Sequence, residues 1–249
     1  MEYNIIIFII FGFIAQLIDG ALGMAYGVSS NIFFLTLGIP PAIASACIHT
    51  SEMFTTAVSG ISHFKFGNVD RIIFTKLLVP GVIGGVLGAY ILTELPGGKM
   101  KPYISLYLLM MGLMILIKVF RKIQPKEVNS KLIPLGLVGG FFDAIGGGGW
   151  GPIVTTTLVA RGNAPRFAIG SVNAAEFFVT VAESITFFAT LGALLIQHWE
   201  KIVGLMIGGV LAAPFAAYIC KKIPTRTLMI LVGLLIIGLS IRILYLSWL

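Results

Sequence analysis

An all-α, polytopic membrane protein built from two related halves is the fold class the sequence predicts. Three observations carry this. The chain of 249 residues is 57% hydrophobic and only 11% charged, with a mean hydropathy of +1.00, whereas soluble domains carry roughly 25% charged residues. Apolar runs of about 20 residues, long enough to cross a bilayer as a helix, recur along it. Two of the runs are interrupted by an acid and glycines, at "QLIDGALGMAYGVSS" (Gln16–Ser30) and "GGFFDAIGGGGWGPIVTTT" (Gly139–Thr157).

The two interruptions belong to a repeat. At an offset of 124 residues Asp19 meets Asp143, Gly23 meets Gly147, Tyr26 meets Trp150 and Gly27 meets Gly151. Pro41 meets Pro165, Glu52 meets Glu176 and Thr56 meets Thr180, while Gly84-Gly85-Val86-Leu87 meets Gly208-Gly209-Val210-Leu211. Acids, prolines and large aromatics are scarce in this composition, so their coincidence marks common origin of the halves. The first repeat is residues 1–124 and the second 125–249, together one membrane domain.

In chain order, "MEYNIII" carries an acid and no Lys or Arg, unlike a secretory signal peptide, and is expected to be retained. A broken helix over about 5–37 follows, then spans over about 41–63, 72–94 and 101–119. The second half repeats this with a broken helix over about 132–160 and spans over about 166–190, 201–220 and 226–247. Irregular backbone at membrane depth survives only where protein buries it or it lines a cavity. Paired interruptions in two halves of a transporter point to its binding site.

Loop charge separates two topologies. If the broken segments cross the bilayer, basic residues divide 10 against 7. If they turn back as hairpins, the loops at 63–76, 118–131, 160–166 and 220–226 share one side and hold 13 basic residues against 4. The positive-inside rule favours the second arrangement. The expectation is therefore that each half is a re-entrant broken helix plus three transmembrane helices, as inverted repeats with both termini outside. The net charge of +7 then reflects cytoplasmic loops, and no nucleic-acid partner is implied. Cys47 and Cys220 stand alone in apolar context and give no disulfide or metal framework. Gly146-x-Gly148-x-x-Gly151 spells a dinucleotide fingerprint but lacks its strand–turn–helix setting. No cofactor is expected.

The chemistry expected at the breaks follows from helix ends. The second half-helix of each hairpin starts near Met24-Ala25 and Gly148-Gly149. Its first N–H groups lack acceptors and carry the positive end of the helix dipole. Two such ends facing one another make an anion site without a buried Lys or Arg. The candidate substrate-binding set is Met24, Ala25, Tyr26, Gly27, Gly148, Gly149, Trp150 and Gly151, with Tyr26 and Trp150 as walls and added donors. The competing reading for glycines is close helix packing, which is the preferred reading for Gly81-x-x-x-Gly85 and Gly204-x-x-x-Gly208.

Asp19, Glu52, Asp143, Glu176 and Glu183 are intramembrane acids, and such residues are functional hypotheses by default. His49 and Glu52 share a helix face, as do Asn173 and Glu176. Asp19, His49, Glu52, Asp143, Asn173 and Glu176 form the candidate coupling or site-organising set. Burial favours the neutral carboxyl, which can exchange a proton or donate a hydrogen bond. The alternative for Asp19 and Asp143 is a structural acid that ties the loop together. A metal at His49 and Glu52 is disfavoured because the second copy has Asn173.

At these residues the chain resembles the TauE/SafE family of sulfite exporters and 4-toluene sulfonate uptake permeases. The resemblance rests on "DGALGMAYG" and "DAIGGGGWGP" and on the segments "PPAIASACIHTSEMFTT" and "PRFAIGSVNAAEFFVT". It implies a transporter of small sulfur-containing anions such as sulfite, sulfoacetate or organosulfonates in the bacterial inner membrane. An anion channel stays open as an alternative, as does an intramembrane enzyme using the buried acids, although no nucleophile–base pair is present.

Overall fold

The fold follows from a computed structural model, which describes residues 4–22, 24–120, 131–161, 163, 165–219 and 225–248. Gly23, Cys220 and the basic residues Arg121, Lys122, Lys126, Lys221 and Lys222 lie outside the described residues. Every regular element among the described residues is helical. The first half comprises α1 (Ile5–Leu22), α2 (Tyr26–Thr36), α3 (Pro41–Lys65), α4 (Arg71–Glu94) and α5 (Gly97–Val119). The second half begins with α6 (Leu132–Gly146), then a π-helical turn Gly151–Thr155 that continues as α7 (Thr156–Ala160). α8 (Pro165–Leu191), the short α9 (Ala193–Ile196), α10 (Trp199–Ile219) and α11 (Thr225–Trp248) complete it.

Local chemistry sets these boundaries. Pro41 opens α3 at a position where its missing N–H costs nothing. Asp70 caps α4, its Oδ1 accepting the N–H groups of Ile72 and Ile73 at 2.8 and 3.2 Å. Gly38, at φ 82°, ends α2, with Ile39 N–H returning to Phe34 O and Gly38 N–H to Leu35 O, both at 3.1 Å.

Both broken segments fold back on themselves. Phe11 near the start of α1 stacks on Phe33 near the end of α2, centroids 4.0 Å apart, and Phe8 meets Phe34 edge-on at 5.6 Å. A straight continuation from α1 into α2 would separate Phe11 and Phe33 by roughly 30 Å at the helical rise. In the second half Gly139 lies against Val154, and Leu132 and Leu158 share one apolar cluster.

The halves interlock. α1 packs chiefly on α10 and α6 on α4, so each broken helix leans on a helix of the other half. Glycines bring these backbones together: a Cβ on Gly12 would sit 2.5 Å from Leu205 O, and one on Gly136 would sit 2.9 Å from Leu77 O. Gly81 gives room to the Trp150 ring and Gly204 to Phe8. Residues 124 positions apart meet at two points, where a local two-fold axis between the halves would place them. Thr56 Oγ1 lies 3.5 Å from Thr180 Oγ1, and Gly112 lies against Ile236.

α3 and α8 cross running antiparallel. His49 meets Glu183 at one end of their contact and Ser59 meets Asn173 at the other. Three described helices, within α4, α5 and α8, are long and apolar enough to cross a membrane. α3 falls short of that measure although it has 25 residues. Its buried face carries Thr50, Ser51, Glu52, Thr55 and Thr56, polar groups turned to the protein interior. The outer surface is apolar instead, with Ile83, Leu87, Leu113, Ile185 and Leu234 about half exposed, as lipid contact requires. The protein is a multi-pass membrane protein.

Candidate functional site at the meeting of the two helix breaks

The two breaks touch. Asn31 Nδ2 on α2 donates to Gly146 O at the end of α6. A Cβ on Gly148 would collide with Val28 N and the Gly27 main chain. Gly147 and Gly148, at φ 63° and 151°, make the turn there. Both sit in the region that only glycine adopts without strain.

Each break is closed by its own aspartate. Asp143 Oδ1 accepts Gly149 N–H at 2.6 Å and Trp150 N–H at 2.9 Å. Its repeat equivalent Asp19 accepts Tyr26 N–H at 3.2 Å. The N–H groups expected to face a ligand are therefore partly spent on carboxylates of the chain itself. Helix-end geometry places these donors from sequence alone, whereas their internal acceptors emerge only in the fold. A carboxylate seven residues upstream, across a glycine turn, reaches back like an N-cap. In the first half the remaining N–H groups of Gly27 and Val28 have no intrahelical acceptor.

The last carbonyls of α6 are also claimed. His49 Nε2 donates to Asp143 O at 3.2 Å, Ser45 Oγ to Ala144 O at 2.5 Å, and Asn31 to Gly146 O. Their repeat equivalents are Thr155, Ile169 and Asn173. Thr155 Oγ1 is buried without a partner and Asn173 bonds within its own helix to Ile169 O at 3.0 Å.

Where the breaks meet, a small cavity is lined by Asp19, Met24, Ala25, Tyr26, Gly27, Val28, Glu52, Asp143, Gly148, Gly151, Pro152 and Glu176. Of the expected substrate-binding set, Met24, Ala25, Tyr26, Gly27, Gly148 and Gly151 line it, and Gly149 and Trp150 do not. Trp150 is fully buried in a notch formed by Gly81 and Gly139 and donates Nε1–H to Val172 O at 3.1 Å. It wedges the break from behind, because so large a ring fits only where facing glycines leave space. The Tyr26 hydroxyl is likewise engaged, 3.4 Å from Ser51 Oγ and 3.5 Å from Leu205 O.

Of the expected coupling set, Asp19, Glu52, Asp143 and Glu176 line the cavity, while His49 and Asn173 stand behind it. Four carboxyl groups around one cavity, with no Lys or Arg among the lining residues, cannot all be ionised at once without counter-charge. The free volume available to the centre of a water-sized sphere is about 10 Å³, room for about one water molecule. The cavity is narrow in this conformation.

His49 Nδ1 lies 3.1 Å from Glu183 Oε2 and 3.4 Å from Glu52 Oε2, and all three side chains are buried. Glu183 stood apart from the sequence-derived site because its repeat equivalent is Ser59, with no acid to match. The antiparallel crossing of α3 and α8 brings it to His49.

A profile described as "Sulfite exporter TauE/SafE" matches residues 8–243. The chain belongs to the TauE/SafE family. It is similar to the probable membrane transporter protein YtnM of Bacillus subtilis (strain 168), with 45% identity over 98% of this chain and 84% of that protein. No solved structure matches. The protein is accordingly a membrane transporter and not an enzyme, and in bacteria such a multi-pass protein resides in the inner membrane. The cavity bounded by both breaks is the place in this TauE/SafE protein where backbone donors and acids from both halves come together.

Proposed function

We propose that this transporter carries small sulfur-containing oxyanions, such as sulfite, sulfoacetate or an organosulfonate, through the cavity where the two breaks meet. The observation that carries the reading is the pair of aspartates on main-chain N–H groups at equivalent helix starts. A carboxylate accepts the same donors that a sulfur oxyanion would, so each aspartate holds the ligand's place in the closed state. Protonation of an aspartate weakens its grip on those N–H groups and lowers the negative charge of the cavity, which admits an anion. Proton and anion then bind together, and transport is proton-coupled through Glu52, Glu176 and the two aspartates.

Alternating access fits the volume. A cavity sized for one water must open to take in a four-atom oxyanion, and it sits where the two interlocked halves meet. We read the halves as inverted repeats with re-entrant breaks. The antiparallel course of α3 and α8, which are repeat equivalents, supports this, as does the stacking of Phe11 on Phe33. An anion channel is the second reading. The narrowness of the cavity, with room for about one water molecule, favours a carrier.

Purified protein in liposomes tests the proposal. Uptake of sulfite, thiosulfate, sulfoacetate and an aryl sulfonate, against chloride and acetate as controls, is expected to saturate for at least one sulfur oxyanion and for neither control. Equal flux of all six anions would overturn it.

A further inference from the structure

The repeat correspondence breaks at several positions, and at one of them two titratable groups face each other. His49 and Glu183 face each other at 3.1 Å across the α3–α8 contact. The repeat equivalent of His49 is Asn173 and that of Glu183 is Ser59, and these two also face each other, with Ser59 Oγ donating to Asn173 Oδ1 at 3.0 Å. The same geometric slot thus holds a neutral hydrogen bond on one side of the axis and two titratable groups on the other. Packing does not require the titratable version, because the neutral one fills the equivalent slot.

The local geometry obliges a proton to sit there. His49 Nε2 faces the main-chain O of Asp143, which only accepts, so Nε2 bears hydrogen. Nδ1 then faces Glu183 and Glu52, whose oxygens are acceptors when ionised. Two lone-pair atoms 3.1 Å apart in an apolar surround repel unless a proton lies between them. Nδ1, Glu52 Oε2 and both oxygens of Glu183 are buried without any aligned hydrogen bond. Phe187 stacks parallel to the imidazole with centroids 6.2 Å apart, and Gly85 leaves space for Glu183 Oε1, where a Cβ would come within 2.5 Å. The charged groups that face His49 are Glu52 from α3, Asp143 from α6 and Glu183 from α8. Among the described residues the remaining helices present no charged side chain within ion-pair distance of it.

We propose that His49 and Glu183 form a proton-binding site behind the cavity that passes its proton to Glu52, and that only the Glu52 side of the cavity is served in this way. The step is a proton transfer alone. The His49 Nδ1–H bond breaks and a Glu52 Oε2–H bond forms, so that an imidazolium and a carboxylate become a neutral imidazole and a neutral carboxyl. Glu176, whose histidine equivalent is Asn173, has no such donor. The inference rests on the proposed anion transport for its purpose but not for its chemistry.

The test converts the pair to the neutral version already present across the axis, with the double substitution His49→Asn and Glu183→Ser, which the equivalent slot shows can be packed. In liposomes carrying an internal pH dye, sulfite added outside is expected to acidify the lumen with the wild type. The double variant is expected to lose at least tenfold of that proton movement per sulfite while sulfite–sulfite exchange stays measurable. Proton movement per sulfite equal to wild type would overturn the inference. The second arm uses no anion. Infrared difference spectra of the purified protein between acid and neutral pH are expected to show a carboxyl carbonyl band and an imidazole ring band that vanish together in the variant. Bands unchanged in the variant, or a stoichiometric metal ion found in the wild type by elemental analysis, would also overturn it. If the infrared result holds and wild type moves no sulfite, the anion reading fails and the proton site stands.

Discussion

Asp143 accepts the main-chain N–H groups of Gly149 and Trp150 through one oxygen, at 2.6 and 2.9 Å, while its other oxygen is buried without a partner. Asp19 repeats the arrangement with Tyr26 alone. One acid therefore both closes a helix break and leaves an oxygen free beside the cavity. In the proposed transport cycle such an acid is both structural and functional, since the closure it makes is the contact that an entering anion would replace.

Unequal stability effects follow from unequal bonds. Asp143→Ala strands two buried N–H groups and is expected to cost about 3 kcal/mol, and Asp19→Ala about half as much. Asp143→Asn keeps the acceptor and should cost less than either. Thermal unfolding in detergent, followed by size-exclusion chromatography, would rank the three. Equal losses for Asp19→Ala and Asp143→Ala would contradict the geometry.

Glu52→Gln and Glu176→Gln both remove an acid from the cavity wall, yet they should not behave alike. Glu52 has His49 and Glu183 beside it, and Glu176 has no such relay. Transport of sulfite measured across pH is expected to flatten in Glu52→Gln and to fall at all pH values in Glu176→Gln, with both proteins still folded. Unchanged profiles in both would leave the two glutamates as structural acids.

Bulk at the tip of the second break should be more damaging than loss of polarity nearby. A side chain on Gly148 meets Val28 N and the Gly27 backbone, and one on Gly149 meets Tyr107 OH and the Phe142 and Asp143 main chain. Gly148→Val separates the breaks and is expected to abolish sulfite binding, while Gly149→Val is expected to displace the Asp143 carboxylate and unfold the hairpin in part. Thr155→Val, at a buried hydroxyl with no partner, should cost little in either respect. Binding by a well-folded Gly148→Val protein with wild-type affinity would place the site elsewhere.

Topology is open to direct labelling. In a protein lacking Cys47 and Cys220, single cysteines near positions 39 and 97 are expected to react from outside the cell, and those near 68, 126 and 163 only from the cytoplasm. Reaction of 39 and 163 from the same side would contradict inverted halves.

Much of this was legible in the sequence, and for identifiable reasons. The all-helical membrane character follows from the low charge content together with apolar runs of about 20 residues. Acids at Asp19, Asp143, Glu52 and Glu176 survive in both halves, so a fixed offset exposes them, and all four line one cavity. Contacts made by unmatched residues were not legible. Asn31, Ser45 and His49 satisfy the last carbonyls of α6, yet their equivalents Thr155, Ile169 and Asn173 do not repeat the pattern. Glu183 was visible as an intramembrane acid, but only the antiparallel crossing of α3 and α8 reveals its partner. Trp150 was expected at the wall, since sequence shows an indole beside glycines without showing that Gly81 and Gly139 form its notch.

In the proposed mechanism a sulfur oxyanion replaces the aspartates at the two helix starts. Counterflow of radiolabelled sulfite in proteoliposomes, with wild type and Asp143→Asn compared, tests it most directly. Saturable uptake that unlabelled sulfite inside accelerates is expected, with a weaker dependence on pH in Asp143→Asn, because an amide at that place cannot take part in proton coupling. Flux that rises linearly with sulfite and ignores internal sulfite, or an identical pH dependence in the two proteins, would contradict it.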